Sequence, residues 1–447
     1  MFDREEQALQ KIKEQYAAQP LPASEQLDQA IERGMQLAKK KRPARSWGLA
    51  VSAAVCVFCL LLAVSIRVSP AFAALVSELP GMSYFVKMIS YDQGLQRAVE
   101  HDFVQPVGIS DEKDGVRLTV DSIIADEIRL NIFYTAESTT GKPKKLLTSS
   151  VELLDGNRQP LSVGYSCCGS GESNPDDLIL KGHVDMQMGE DLPVPDTVIM
   201  RVKLIGDIER PDTVWEVAIP VDRSKFAGMK ETVPVDQTVD IAGQKFTFTK
   251  AVIYPTRIEL GVEFDPDNTK NIMGFEDLEI VDETGEVLNT NLSVIGDSKQ
   301  TIYFESSYFS QAKELYVRGS KLMALDKDKS SLVIDLGEKK LLKVPDQRVQ
   351  LESIFRGTAY TTINLLIEQL PGDKHAYSIV DSEFTDAAGK SYQTEGSTTI
   401  AHSDEDESSR VQRTSFHIKT EDYTGPLTFR ITNYPTRISQ PFKVRLK

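Results

Sequence analysis

Apolar and polar positions follow two rhythms along this chain. From about Val107 onward they alternate with period two, as in Val116-Arg117-Leu118-Thr119-Val120, Ile128-Arg129-Leu130-Asn131-Ile132 and Lys245-Phe246-Thr247-Phe248. Alternation of this kind places one set of side chains on a buried sheet face and the other in water. Turn residues break it at Asp155-Gly156, at Asp282-Glu283-Thr284-Gly285 and at Ala387-Ala388-Gly389, which predicts hairpin tips there. Helical spacing is rare in this part, and Ser310 to Tyr316 is one candidate for a short helix. Three segments repeat one layout, an alternating strand, a short turn and a second alternating strand: Gly115 to Tyr134, Gly243 to Phe264 and Val349 to Gln369. Their spacing of roughly 100–130 residues suits immunoglobulin-like sandwiches. The expected fold is therefore mainly β, with tandem sandwiches over 105–226, 227–345 and 346–447.

The N-terminal part reads differently. Leu9, Ile12 and Tyr16 fall at i, i+3 and i+7, and Leu27, Ile31 and Met35 at i, i+4 and i+8 after Ser24 as a helix cap. Pro20-Leu21-Pro22 separates these two short helices. Neither is long enough to be stable alone, so the segment 1–46 is either a solvated tail or a pair of helices that folds onto a partner. From Trp47 to Ile66 no residue carries a charge. Twenty helical residues span roughly 30 Å, the thickness of a bilayer's hydrocarbon core, so 47–67 is expected to cross the lipid bilayer as one helix. Lys39, Lys40, Lys41, Arg42 and Arg45 precede it and only Arg67 follows closely, which puts the N-terminus in the cytoplasm and the C-terminal domains outside the cell. A cleaved signal peptide is the rival, and Ala71-Phe72-Ala73 resembles a peptidase site, but its leading region would be 46 residues long. The stretch 68–104, with Leu75, Phe85, Val86 and Met88, is expected to form a juxtamembrane helical stalk.

Charge follows the same division. The chain of 447 residues has a net charge of −15, with +2 in residues 1–46 and −17 from Arg67 onward. So acidic an outer part excludes a nucleic-acid partner. Asp265, Asp267 and Asn268, like Asp326 and Asp328, lack the spacing of a dedicated calcium loop and read as solvated turns. Adjacent Cys167 and Cys168 allow a strained, labile disulfide, two loop thiols or an intermolecular bridge. His101, His183, His375, His402 and His417 stand apart in sequence, without metal-ligand spacing. Gly164-Tyr165-Ser166-Cys167-Cys168 lacks the closing glycine of a nucleophile elbow. The expectation is a protein with no enzymatic activity, cofactor or metal.

The first hundred residues resemble a known group. The Leu9 to Tyr16 helix, the Pro20-Leu21-Pro22 break, a second helix and the Lys39–Arg42 run against one span resemble single-pass anti-sigma factors of extracytoplasmic-function sigma factors in Gram-positive bacteria. Ser69-Pro70-Ala71-Phe72-Ala73, Leu79-Pro80-Gly81 and Asp92-Gln93-Gly94-Leu95 through Ala98-Val99-Glu100 are similar to the juxtamembrane motif of the domain of unknown function numbered 4179. The resemblance implies a negative regulator with an RNA polymerase sigma factor as partner. Leu9, Ile12, Tyr16, Leu27 and Ile31 would be its apolar anchors, and the outer domains would sense an envelope ligand. Cleavage near Ala71 and Ala73 would release the inhibitor. The competing class is a cell-surface binding or adhesion protein whose N-terminus is only an anchor.

Overall fold

The structure, a computed structural model, describes Ile89 and residues 91–447, apart from 143, 162–163, 169–178, 189–191, 297, 371–372, 374–375 and 404–409. The expected cytoplasmic helices, the uncharged stretch 47–66 and most of the stalk lie outside these residues. Among the described residues no helix is long and apolar enough to cross a membrane. The chain is mainly β: its strands pair antiparallel throughout, and Gln93–Glu100 is the one α-helix described.

Alternation produces three apolar cores. In the first, a five-stranded sheet runs Val104–Lys113, Val116–Ala125, Arg129–Ser138, Ile179–Gln187, Gly164–Cys168. A three-stranded sheet runs Leu146–Asp155, Thr197–Gly206, Val214–Pro220. Leu118, Val120 and Ile132 of one sheet and Val198, Met200 and Val202 of the other share one buried cluster. Trp215 is wholly buried there, and its indole N–H donates to the Val116 carbonyl at 3.0 Å, so its single polar group is satisfied. The second core lies on a nine-stranded sheet built from the eight strands between Glu231 and Asp326 and the last strand, Ile438–Arg445, where Phe246, Phe248, Phe275 and Phe442 pack against one another. The third lies between a five-stranded and a four-stranded sheet, with Ile363, Leu365, Phe416 and Phe429 at its centre.

Two long-range pairings cut across the boundaries expected from the repeat. Ser331–Asp335 pairs with Leu427–Ile431, so the chain enters the third core before residue 346. The last strand, Ile438–Arg445, returns to pair with Leu315–Asp326 of the second sheet. Repeat spacing fixes where hairpins begin, whereas strand partners are chosen by which edges remain open in space. The stalk also changes character. Leu95 and Ala98 of the helix are fully buried in the first core, and Phe103 joins them, so this part of 68–104 is integral to the first β domain. Ser310 to Tyr316 is not helical. Gln311 adopts φ 52, a left-handed conformation that ends any helix, and Leu315 already begins a strand.

The expected hairpin tips do form, each by one device. Asp155, Asp282 and Asp386 each accept, through Oδ1, the backbone N–H groups two and four residues ahead, at 2.8–3.0 Å. An aspartate there folds the turn back on its own side chain.

The three repeated segments are the same hairpin. Val116–Ala125 with Arg129–Ser138, Gln244–Ile253 with Arg257–Phe264, and Val349–Arg356 with Tyr360–Glu368 each enclose a three-residue turn. Each turn is closed by one hydrogen bond, Asp126 N–H to the Arg129 carbonyl at 3.0 Å, Tyr254 to Arg257 at 2.8 Å and Gly357 to Tyr360 at 2.9 Å. All three carry a register shift part-way along. In all three the second strand pairs next with a later strand, placing Arg129 opposite Gln187, Arg257 opposite Glu305 and Tyr360 opposite Lys419.

Candidate functional site

The first two hairpin tips meet, and the helix Gln93–Glu100 closes over the place where they do. Asp92 caps the helix, its Oδ1 accepting from Leu95 N–H at 3.0 Å. Its other oxygen, Oδ2, accepts from Arg129 Nη1 at 2.8 Å. Arg129 has no exposed surface. It grips Asp185 with both arms of its fork, Nε to Oδ1 at 2.9 Å and Nη2 to Oδ2 at 2.7 Å, the bidentate geometry that best repays a buried guanidinium. Arg257, at the equivalent place in the second hairpin, donates Nη2 to the same Asp185 Oδ2 at 2.9 Å and bonds Gln187 through Nη1. Asp126, in the first turn, accepts from its own hairpin (Ile128 N–H, 3.0 Å; Arg129 N–H, 2.9 Å) and from the second turn (Thr256 N–H, 2.9 Å; Thr256 Oγ1, 2.6 Å). Ile128 packs with Val252, Tyr254 and Tyr303 in a small apolar cluster beside these charges.

The helix is fastened to the second domain as well as to the first. Gln93 N–H donates to Glu305 Oε1 at 3.0 Å, and Glu305 Oε2 accepts from Asn289 N–H at 2.9 Å. Arg97 donates to the Ser306 carbonyl at 3.1 Å and pairs with Glu286. Gly94 lies so close to the second turn that an added Cβ would stand 2.6 Å from the Thr256 carbonyl oxygen and 2.8 Å from Ser306 N.

Electrostatics keep Asp185 ionised. Burial alone would push the Asp185 carboxyl up, but Arg129 and Arg257 outweigh it and hold it well below the usual carboxylate range. Burial also lowers the Arg257 guanidinium, to about 10, with Arg129 adding repulsion, yet it remains protonated at neutral pH. Burial raises the Asp126 carboxyl, and the hydrogen bonds from Thr256 and Ile128 and the charge of Arg129 only partly oppose it. His183 stacks on Phe133 at 4.8 Å, and its Nε2 lies 2.7 Å from Asn131 Oδ1. Burial lowers this imidazole to about 4, with Arg129 acting in the same sense and Asp185 and Asp92 opposing.

A pH dependence follows. The unfolded chain takes up a proton on His183 near pH 6.5, whereas the folded chain does so only near pH 4. The unfolded state therefore binds more protons across that window, and stability falls as pH drops from about 6.5 to about 4. Asp185, lowered in the fold, extends the loss below the ordinary Asp range. Urea unfolding at pH 7 and pH 5 should show the wild-type midpoint falling, and His183→Gln should flatten that fall. An equal fall in both would assign the dependence to other groups.

The helix and its cap, Asp92 through Glu100, are the motif that pointed to the domain numbered 4179, and they sit where that domain's first hairpin is locked to the rest. Residues 40–138 match the Domain of unknown function (DUF4179). The DUF4179 segment contributes Asp92, Gly94, Asp126 and Arg129 to the junction. A second match, to a Family of unknown function (DUF5643), covers residues 230–344 and contributes Thr256, Arg257, Glu286 and Glu305. No curated protein matches the chain. Among solved structures, a conserved domain protein from Bacillus anthracis is similar at 18% identity and TM-score 0.36, over 54% of this chain and 84% of that one. A marsupial T cell receptor is similar at 8% identity and TM-score 0.16, over 75% and 99%. Scores this low say nothing of shared architecture.

The site residues expected from sequence, Leu9, Ile12, Tyr16, Leu27, Ile31, Ala71 and Ala73, precede the described part of the DUF4179 segment and lie outside the described residues. Cys167 and Cys168 occupy an edge strand of the first sheet, in register with Val184 and His183. Asn268 binds the Lys245 backbone with both ends of its amide, and Asp326 pairs with Lys270 and Lys329. His183, which stands apart in sequence, lies beside the ionic junction. Sequence reading missed Asp92, Asp185, Arg129 and Arg257 as one group. The available signal was an arginine at the same point of two repeats, opening the second strand of each hairpin.

Proposed function

We propose that this chain is a membrane-anchored regulator, an anti-sigma factor whose cytoplasmic helices bind an extracytoplasmic-function sigma factor and whose outer immunoglobulin-like β domains sense an envelope signal. The observation that supports it most is the junction. A helix of the DUF4179 segment, which follows the uncharged stretch 47–66 along the chain, is tied to the first β domain by the buried Asp92–Arg129 pair and to the second by Gln93–Glu305 and Arg97–Glu286, while Arg257–Asp185 joins the two domains. An attachment of that kind passes a rearrangement of the outer domains to the chain entering the membrane, whereas a passive anchor needs only a slack tether. The span at 47–67, the cytoplasmic N-terminus and cleavage near Ala71 and Ala73 belong to the same proposal. It includes no catalytic step and no nucleic-acid partner.

The test is made in the cell of origin with a reporter for an extracytoplasmic-function sigma factor. Deleting residues 1–46 should raise reporter output, and residues 1–46 should co-purify with that sigma factor. Leu27→Asp and Ile31→Asp should each abolish the complex, because apolar anchors carry most of such an interface. No complex with the native segment and no response to the deletion would leave the chain as a cell-surface binding protein.

A further inference from the structure

The three equivalent hairpins do not share one fate. The first two present an arginine directly after the turn, and both arginines are buried where the two tips meet. The third presents Tyr360 at that place, 49% exposed, and Phe355 just before the turn, 68% exposed. Its closing hydrogen bond is the same, and Thr420 N–H secures the Ala359 carbonyl at 2.9 Å, so the tip is formed and held. Among the described residues nothing covers this tip, where Phe355 and Tyr360 expose apolar surface beside the charged Arg356 and Lys419.

We propose that the third hairpin tip docks on the same tip of a second copy of this chain. Three observations favour a second copy over an unrelated partner. In this fold, the equivalent tips are seen to dock on one another, tip against tip. The apolar centre of Phe355 and Tyr360 replaces the arginines and needs no buried counter-charge, so it suits a contact without the helix that supplies Asp92 to the first pair. The rim is self-complementary: Arg356, 62% exposed, pairs at 3.4 Å with a fully exposed Asp422, and Lys419 pairs at 3.3 Å with Glu395. Two copies related by a two-fold axis can exchange those partners, Arg356 of each facing Asp422 of the other. A patch of this size makes a weak dimer in free solution. Confinement of both copies to one membrane, which rests on the reading proposed above, raises their effective concentration.

The full-length chain tests this in intact cells, with a photo-crosslinking amino acid in place of exposed Thr358 and two differently tagged copies expressed together. Irradiation should join one tagged copy to the other at twice the chain mass. Phe355→Asp should reduce that product at least tenfold. Arg356→Glu alone and Asp422→Arg alone should each weaken it, and co-expressing one with the other should restore it, because only the mixed pair re-forms both ion pairs. Since both residues are exposed, these variants fold. A product at the mass of a different protein, or a same-chain product indifferent to Phe355→Asp and to charge mixing, overturns the proposal. Fractionation of the same cells reports membrane anchoring separately, so its failure is not confused with failure of the dimer.

Discussion

Replacing Arg129 by Met should destabilise the first β domain by about 3–5 kcal/mol, the usual cost of removing one partner from a buried ionic group. The side chain fills similar volume, so the loss is electrostatic. Asp92 Oδ2 and both oxygens of Asp185 lose charged donors inside the protein, and only Arg257 remains on Asp185. Trp215, buried in the adjoining core, gives a fluorescence signal for urea unfolding. The midpoint should fall sharply for Arg129→Met. It should fall by only about 1–2 kcal/mol equivalent for Asp92→Asn, which keeps an oxygen for the helix cap and leaves Arg129 bidentate on Asp185. Equal, small effects from both would mean that the apolar cluster around Ile128, rather than the charges, holds the tips together.

Gly94→Val should unseat the helix from the second domain at a cost of about 2–3 kcal/mol. On propensity alone the change would help, since glycine inside a helix is worth roughly 1 kcal/mol less than alanine. The tertiary contact reverses the sign: the Cβ would be driven into the Thr256 carbonyl and the Ser306 amide, both backbone atoms that cannot rotate away. The helix must then lift, which takes Asp92 from Arg129 and Gln93 from Glu305. Hydrogen exchange at the amides of Gln96 to Glu100 should lose protection while strands of the third core keep theirs. Unchanged protection would show that the second domain yields instead of the helix.

Both expectations bear on regulation. If the outer domains pass a signal inward, variants that release this helix should alter sigma-reporter output without touching residues 1–46. Gly94→Val and Arg129→Met then give the same reporter phenotype from opposite sides of one contact.

Period-two alternation was enough to establish a mainly β chain and three segments of one layout, and turn residues placed the hairpin tips, because each depends on neighbours close in sequence. Asp282 folds its own turn whatever surrounds it, and Val116 to Tyr134 alternates whether or not a second domain exists. The buried junction was not legible in that way. Asp92, Asp185 and Arg257 are far apart in the chain, and an arginine at a strand start looks like an exposed charge until two tips are seen to meet. The same residue type is solvated or buried according to what packs over it, and the desolvation cost is met only when several partners arrive together. The return of Ile438–Arg445 to the second sheet is of the same kind, since any alternating strand can complete any open edge. Neighbours along the chain set the local elements and mark their repetition. Tertiary structure decided which copies of the repeated tip are buried against each other and which one is left facing outward.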